Sequence, residues 1–280
     1  MSLTVNNNIA SLIAQRNLNK NTVSLTKSIE KLSSGYRINR AADDAAGLSI
    51  SESLRGQIRG NARATSNVQD GISMLQIAEG GLTVINENLQ RMRELCIQAA
   101  NDTNGSTERT AILSEITARI DDITRIAKST KFNNIFLLDG TTASSTLQVG
   151  ANSTASTNTI SIASVLTDSQ ASTIGVTIAI AGGAWTSALI RSYIGVLDTA
   201  ITSITSRRSS VGALQGRLES TLENLAIMNE NVQASESRIR DLDIAKETAG
   251  MVKSQILQQA SATVLSQANQ IPQLALSLMR

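Results

Sequence analysis

The 280-residue sequence has no histidine, one cysteine, one proline and only five aromatic residues. Without histidine it cannot form a Ser-His-Asp triad or a Cys-His dyad, and a single cysteine allows neither an internal disulfide nor a Cys/His zinc site. We therefore expect a protein that is not an enzyme and that carries no cofactor. A single proline, against an average usage of about 5%, favours long uninterrupted helices.

Neither charge nor hydropathy selects a nucleic acid or a membrane as a partner. The chain has 25 Lys and Arg against 23 Asp and Glu, with aromatics at 2%, whereas nucleic-acid binding favours a basic surface with stacking aromatics. No run approaches about 18 consecutive apolar residues, and residues 1–10 lack the basic start and apolar core of a secretory signal. If the protein leaves the cell, we expect a route without a cleaved signal peptide.

A heptad pattern of apolar residues dominates the first half of the chain. Its members alternate at spacings of three and four, and they are Leu75, Ala78, Leu82, Ile85, Leu89, Met92, Cys96 and Ala99. Val68 and Ile72 extend the stripe upstream with one slip in phase, and Ile50, Leu54 and Ile58 continue it at a spacing of four. Together they predict a helix from about Asp44 to Asn101, with Cys96 in a packing role. Helical spacing from Ile112 to Ala127 predicts a second helix, with its N-cap at Ser106 or Thr107. We expect the two helices to form a hairpin.

The composition changes after Gly140. Between residues 141 and 190 the only charged residue is Asp168, and Ser, Thr, Ala, Gly and Ile predominate. Apolar residues alternate with small or polar ones at Leu147 and Val149, at Ile160 and Ile162, and at Ile174, Val176, Ile178 and Ile180. This period of two predicts short strands joined by turns. A disordered Ser/Thr linker is the alternative.

Helical spacing returns in the last third of the chain and is also present near its start. Another long helix is predicted by the stripe of Ile190, Ile194, Leu197, Ile201, Ile204, Val211, Leu214, Leu218, Leu222, Leu225, Met228 and Val232. Narrower stripes follow Leu18, Leu25, Ile29 and Leu32 and then Leu257, Ala260, Val264, Ala268 and Ile271. Each terminal stripe buries too little area to offset about 1–2 kcal/mol of backbone ordering per residue. We expect these helices to pair into a coiled coil on which further chains pack.

Two long motifs resemble those of the bacterial flagellin family. The segment LSSGYRINRAADDAAGL at residues 32–48 is similar to the N-terminal signature of flagellins, and KSQILQQASATVLSQANQIPQ at residues 253–273 is similar to the C-terminal one. The likeness fades between about residues 164 and 194, where flagellins carry large variable insertions. The chain is therefore identified as a short flagellin of core domains alone.

The resemblance implies a mainly α fold: a long antiparallel helical bundle with a small β-hairpin region, and terminal helices paired into a coiled coil. Residues 1–42 and 241–280 would form the two parts of an inner core domain. Residues 43–240 would form a rod-shaped helical domain with its β-hairpin region at 141–182.

The function implied by the resemblance is that of a structural subunit that polymerises into the flagellar filament for motility. The implied partners are other subunits, the cap and hook-filament junction proteins, and a cytosolic export chaperone. The implied location is the extracellular filament, reached by type III export. A hook-filament junction protein, which shares the two-ended helical plan, is the alternative.

The same resemblance assigns residues to the subunit interface. They comprise four charged residues, Arg37, Arg40, Asp43 and Asp44, and six apolar residues, Leu25, Ile29, Leu32, Leu257, Val264 and Ile271. For Asp43 and Asp44 the alternative is a local role as N-cap and first-turn acids of the long helix.

A second set matches the positions at which flagellins are bound by Toll-like receptor 5 of a host. The matched residues are Gln90, Arg91, Leu95 and Glu115. Arg91 and Leu95 lie one position off the apolar stripe, where an Arg beside a Leu suits a binding hot spot. The alternative is a solvated flank of the helical bundle.

Overall fold

A computed structural model describes residues 7–141, 145–177 and 185–278 of the chain. Within these ranges the elements are, in order, α1 (Ile9–Ser34), α2 (Ala45–Ala99), α3 (Ser106–Ser129), β1 (Lys131–Phe132), β2 (Ile135–Phe136), β3 (Thr146–Gln148), α4 (Ala155–Asn158), β4 (Thr159–Ser161), α5 (Ser187–Arg240) and α6 (Ile244–Leu278). The predicted mainly α fold is confirmed. The chain divides into a central unit, Ile58–Glu230, and a terminal unit made of the residues up to Gln57 and from Asn231 onward.

The core of the central unit is built from α2, α3 and α5. Every member of the predicted heptad stripe from Leu75 to Ala99 is buried, and the stripe packs in one apolar cluster with residues of α3 and α5. A side chain of α3 also reaches α2, where Arg119 Nη1 donates to Asn88 Oδ1 at 3.1 Å. The predicted α2–α3 hairpin is therefore confirmed. On α5 one member of the predicted stripe departs from it, because Met228 is exposed.

The ends of the helices follow local capping chemistry. Asn8 caps α1 by accepting the Ser11 N–H at 3.0 Å, and Gly35 ends it in the left-handed region at φ 74°. Asp44 Oδ1 accepts the Gly47 N–H at 2.8 Å in the first turn of α2, a capping role that an aspartate there can fill. The N-cap prediction for α3 is wrong. That position is Gly105, which has no side chain to cap the helix, and Ser106 is already helical.

The predicted strands before residue 165 are confirmed, and the later one is wrong where the structure describes it. β3 and β4 pair antiparallel, with Leu147 opposite Ile160. Ile174 and Val176 lie instead around a turn in which Gly175 has φ 79° and the Val176 N–H donates to Ala171 O at 2.8 Å. The side chains of Ile174 and Val176 are both buried in the core. Their alternating spacing therefore arises from burial around a turn and does not indicate a strand. Ile178 and Ile180 lie outside the described residues.

A second hairpin was not predicted. β1 and β2 pair antiparallel, with Phe132 opposite Ile135, so only Asn133 and Asn134 form the turn. Both asparagines have positive φ, at 43° and 68°. Asparagine tolerates this left-handed region better than most residues, and two such residues suit the tight turn of a hairpin. Two asparagines between apolar residues are the signal that predicts this turn.

In the terminal unit, α1 and α6 pair antiparallel, as expected of the two terminal helices. Asn8 Nδ2 donates to Ala268 O at 2.8 Å, and Asn21 Nδ2 donates to Ser261 Oγ at 2.9 Å. Apart from Glu30 and Lys31, the less exposed positions of α1 repeat at spacings of three and four, and they are Ser11, Ala14, Leu18, Asn21, Leu25, Ser28 and Leu32. This is the periodicity of a coiled-coil seam. The seam alternates leucines with small or polar residues.

Candidate assembly and recognition surfaces

The α1–α6 pair leaves large apolar side chains on its outside. Ile29 on α1 is 51% exposed, and Leu257 and Val264 on α6 are 43% and 58% exposed. Further exposed apolar residues on the two helices are Ile9, Leu12, Ile13, Val23, Ile244, Val252 and Ile256. The predicted α6 stripe therefore does not face α1 at Leu257 or Val264. These side chains can leave water only by contact with something outside the chain.

The other apolar residues of the predicted interface have different environments. Leu25 and Leu32 are half-buried positions of the α1 seam. Ile271 lies in α6, and its side chain is outside the described part of the structure. The inward face of α6 instead carries polar residues such as Gln258 and Ser261. Gln258 donates to Thr22 Oγ1, and Ser261 Oγ accepts from Asn21.

Two connecting segments, residues 35–37 and 239–242, are joined by backbone hydrogen bonds. The Arg37 N–H donates to Arg240 O at 2.7 Å, and the Leu242 N–H donates to Gly35 O at 3.0 Å. The Arg240 guanidinium lies 4.7 Å from the centre of the Tyr36 ring, and its Nη1 donates to Glu52 Oε1 at 2.7 Å. This contact lowers the pKa of the Glu52 carboxyl. These contacts join two segments of the terminal unit that are far apart in the sequence.

The contact between Arg240 and Glu52 is not predictable from the sequence. They are separated by 188 residues, and neither belongs to a periodic pattern or a short motif. A single sequence carries no signal for such a pair.

The four charged residues predicted at the subunit interface all make contacts within the chain. Arg40 Nε donates to Glu30 Oε1 at 2.9 Å, and Arg37 donates from its guanidinium to Ile239 O. The Asp43 carboxylate accepts the Arg40 N–H at 3.1 Å, a hydrogen bond that lowers its pKa. Asp44 caps α2. The local role considered for Asp44 is therefore present, while Asp43 fixes the turn that precedes the helix.

On the central unit, the hairpin of α2 and α3 brings together two of the four residues matched to the receptor site, Arg91 and Glu115. Arg91 Nη1 donates to Glu94 Oε2 at 3.0 Å, and Arg91 Nε lies 3.5 Å from Glu115 Oε1. Both carboxylates raise the pKa of the Arg91 guanidinium. Gln90 is exposed beside this cluster. The result is an exposed charged surface held by ion pairs between two helices.

Leu95 does not belong to that surface. It is only 2% exposed, so its expected place on the flank of the bundle is wrong. The apolar residues of α2 pack against both α3 and α5, which makes the buried face of α2 wider than a single heptad stripe. Leu95 and its neighbour Cys96 are therefore both inside. Burial raises the pKa of the Cys96 thiol to about 12, in keeping with a packing role.

The described residues show neither a metal-binding cluster nor a membrane-spanning helix. Across the ranges 7–141, 145–177 and 185–278, His, Cys, Asp and Glu side chains nowhere gather in a group of three that could hold a metal ion. Nor does any described helix combine the length and apolarity needed to cross a bilayer.

These features define a class: a helical protein whose two ends pair and whose paired ends keep apolar side chains on the outside. Comparison with known proteins identifies the family. A family model for the bacterial flagellin N-terminal helical region matches residues 5–143, and one for the bacterial flagellin C-terminal helical region matches residues 194–279. The chain belongs to the bacterial flagellin family.

Relatives match the chain from end to end. It is 45% identical over 276 residues to a flagellin of Halalkalibacterium halodurans, covering 99% of both chains. It is 43% identical over 307 residues to a flagellin of Bacillus subtilis, again covering 99% of both. A solved Vibrio parahaemolyticus structure, assigned to the flagellar hook-associated proteins, has a TM-score of 0.56 at 15% identity, covering 71% of this chain and 100% of that one. This last likeness shows the fold alone.

The resemblance in the terminal motifs is thus confirmed. Family membership makes the chain a structural subunit of the flagellar filament, where it assembles with other flagellin subunits. The absence of a large insertion agrees with its length of 280 residues.

Proposed function

We propose that this chain polymerises through the outer faces of the α1–α6 pair. The observation that carries the proposal is the set of large apolar residues left exposed there, including Ile29, Leu257 and Val264. Full burial of one such side chain is worth about 1.5–3 kcal/mol. A contact between different faces of identical subunits generates an open helical filament when the rotation between subunits does not close it into a ring.

In this proposal the half-buried seam residues Leu25 and Leu32, together with Ile271 of α6, also contribute to the interface. Arg37, Arg40, Asp43 and Asp44 would add ion pairs between subunits at its edge. Exposed ion pairs contribute only about 0–1 kcal/mol each, so the apolar contacts dominate. Charge reversal at Arg40 that leaves assembly unchanged would restrict these four residues to their contacts within the chain.

The proposal also includes the domain roles and the further partners that the family resemblance implies. Residues 1–42 and 241–280 would form an inner core domain in the filament, and residues 43–240 its rod-shaped domain. Before assembly, a cytosolic chaperone would cover the exposed apolar residues of α6. Export without a cleaved signal would deliver the subunit to the extracellular filament, between the junction and cap proteins.

The test is filament formation by the full chain, viewed by negative-stain electron microscopy after precipitant or filament seeds are added. The double variant Leu257→Asp/Val264→Asp should raise the concentration needed for polymerisation by at least about tenfold, because it charges an apolar contact. Leu189→Asp, at an exposed apolar residue of the central unit, is the matched control.

Filaments from the double variant at the wild-type concentration would overturn the assigned interface. Short rings from the wild-type chain would point instead to a hook-filament junction protein.

We also propose that the surface of Gln90, Arg91 and Glu115 is bound by Toll-like receptor 5. Arg91 and Glu115 are half exposed and belong to different helices, so the fold has to form before they meet. An exposed Arg held by two carboxylates has the character of a hot spot. Leu95 would support this surface from beneath without touching the receptor.

A receptor-reporter assay with purified monomer tests this second proposal. Arg91→Ala should reduce potency by about tenfold or more, as expected for loss of a hot-spot side chain. Arg125→Ala is the matched control, since Arg125 also pairs with an acid three residues away, Asp122, on an exposed face. Equal potency of the Arg91→Ala variant and wild type would remove Arg91 from the site.

A further inference from the structure

The charges of this chain balance overall but are separated along it. Residues 16–40 contain six basic residues, Arg16, Lys20, Lys27, Lys31, Arg37 and Arg40, and a single acid, Glu30. Residues 219–236 contain four acids, Glu219, Glu223, Glu230 and Glu236, and no basic residue. We call the second stretch the acidic tract. Two oppositely charged surfaces on one chain can attract neighbouring copies.

The basic stretch borders a cleft in the terminal unit. The cleft has a volume of about 340 Å³ and lies between α1 and the segment that leads to α2. Lys27, Lys31 and Arg40 line it, together with the apolar side chain of Val23. We call it the lysine cleft.

Lys27 and Lys31 are the basic residues of this cleft that form no ion pair with a described residue, although both also help to lower the pKa of the Asp43 carboxyl, after the backbone hydrogen bond from Arg40. Arg40 is neutralised by Glu30 at 2.9 Å, and the Asp43 carboxylate accepts backbone N–H groups. Neither Lys27 nor Lys31 forms an ion pair with any residue that the structure describes. Val23 beside them is exposed. The lysine cleft thus offers two ammonium groups next to an apolar surface.

The acidic tract offers the complementary groups. It lies on α5, where Glu223 and Glu230 are exposed, and none of its four acids is ion-paired within the described ranges. Ile227 is four residues after Glu223 and three before Glu230, so it shares their face of α5, and it is 61% exposed. An exposed isoleucine between two carboxylates on one helix face is a mixed apolar and acidic surface.

We propose that the lysine cleft of one subunit binds the acidic tract of a second copy of this chain. This inference rests on the proposed polymerisation and names a second contact in the assembly. The Lys27 and Lys31 ammonium groups would donate to Glu223 and Glu230, while Ile227 packs against Val23. A small anion would satisfy the charges but leave both apolar side chains in water, so a second copy fits better.

The contact joins two different surfaces of the same chain. It is therefore heterologous, and repetition adds subunits in one direction without closing a pair. Because it depends on exposed charges, salt should weaken it more than it weakens the apolar α1–α6 contact.

Complementary charge reversal tests this contact in the full-length chain. One variant carries Lys27→Glu/Lys31→Glu, and the other carries Glu223→Lys/Glu230→Lys. Each alone places like charges in the contact, so we expect its critical concentration for polymerisation to rise by about tenfold or more. An equimolar mixture restores opposite charges at every contact and should polymerise near the wild-type concentration. Lys128→Glu/Lys131→Glu, at two exposed lysines outside the cleft, is the matched control.

The outcomes distinguish the contact between the lysine cleft and the acidic tract from the proposed polymerisation through the α1–α6 pair. Circular dichroism of each monomer first verifies that the variants are folded. Normal polymerisation of both variants alone would overturn the contact while leaving the α1–α6 interface intact. A mixture that fails while the control polymerises would also overturn it, because the two surfaces would then not meet. A wild-type chain that forms no filament would overturn the proposed polymerisation itself, and this contact with it.

Discussion

At the residue scale, two adjacent glycines in the middle of α2 have opposite surroundings. A Cβ on Gly81 would lie 2.8 Å from both Leu138 Cδ1 and Thr130 Oγ1, and the Thr130 hydroxyl is held by a 2.7 Å hydrogen bond to Ile126 O. A Cβ on Gly80 would meet nothing within 4 Å. Gly81 is therefore required by close packing, whereas Gly80 has no such constraint within the chain.

Alanine substitutions at these two positions should have opposite effects. Gly81→Ala should lower the free energy of unfolding by about 1–3 kcal/mol through overpacking. Gly80→Ala should raise it by about 0.5–1 kcal/mol, because alanine favours an exposed helix. Urea denaturation of the two variants measures both changes, and each serves as the control for the other. Equal effects would contradict the contacts assigned to Gly81.

Residues such as Leu95 show the limit of sequence reasoning at this scale. The heptad stripe correctly predicted eight buried positions on α2, because one covered face imposes that period. It could not show that a second neighbour, α5, covers the adjoining face, which depends on tertiary packing. The charged residues followed the same rule: the capping role of Asp44 is local and was foreseen, whereas the partner of Arg240 is remote and was not.

At the element scale, the helices differ in how much apolar surface holds them. The described side chains of α1 include only two buried residues, Ala14 and Ser28, whereas the whole α2 stripe is buried. Helical stability in proteins comes mainly from packing of an apolar face. The α1–α6 pair should therefore open more readily in the monomer than α2 does.

Hydrogen exchange of the unassembled monomer tests this difference. We expect backbone amides of α1 and α6 to exchange at least about 100-fold faster than those of α2, because local opening exposes little apolar surface. The same amides should become protected in the filament. Equal protection of α1 and α2 in the monomer would show that the pair is stable without neighbours.

The elements that the sequence predicts well are those long enough to repeat their apolar spacing many times. The long helices emerged because many turns repeat the same spacing. The turn at Gly175 was mistaken for a strand because two inward-facing residues on either side of one glycine imitate a period of two. The β1–β2 hairpin was missed because its strands are only two residues long, too short to show any period.

At the scale of the whole molecule, the chain has no histidine, so carboxyl groups determine how its stability changes with pH. Three carboxyl groups, of Asp43, Glu52 and Asp102, have pKa values lowered from ordinary values of 3.8 for Asp and 4.5 for Glu. The main causes are hydrogen bonds from the Arg40 N–H, from Arg240 and from Ser187, respectively. The unfolded chain therefore binds more protons in acid than the folded chain does.

The sign of the pH dependence follows. Stability contributed by these carboxylates is present above the unfolded pKa values and is lost as pH falls through the lowered ones. Since histidine is the side chain that ordinarily titrates near neutrality, Tm should be flat between about pH 6 and 8. Thermal unfolding by circular dichroism should show Tm falling below about pH 5. A marked change in Tm between neutral and mildly alkaline buffers would contradict this account.

The pairing of α1 with α6 also provides a check that the chain is whole. The polar groups that Asn8 and Asn21 need come from Ala268, Leu257 and Ser261, more than two hundred residues later in the chain. A product truncated before α6 leaves those amides without partners and offers only half of the paired surface. The proposed assembly surface of the pair therefore exists only in a chain that contains α6, so a fragment without it should be excluded from the filament by its missing surface alone.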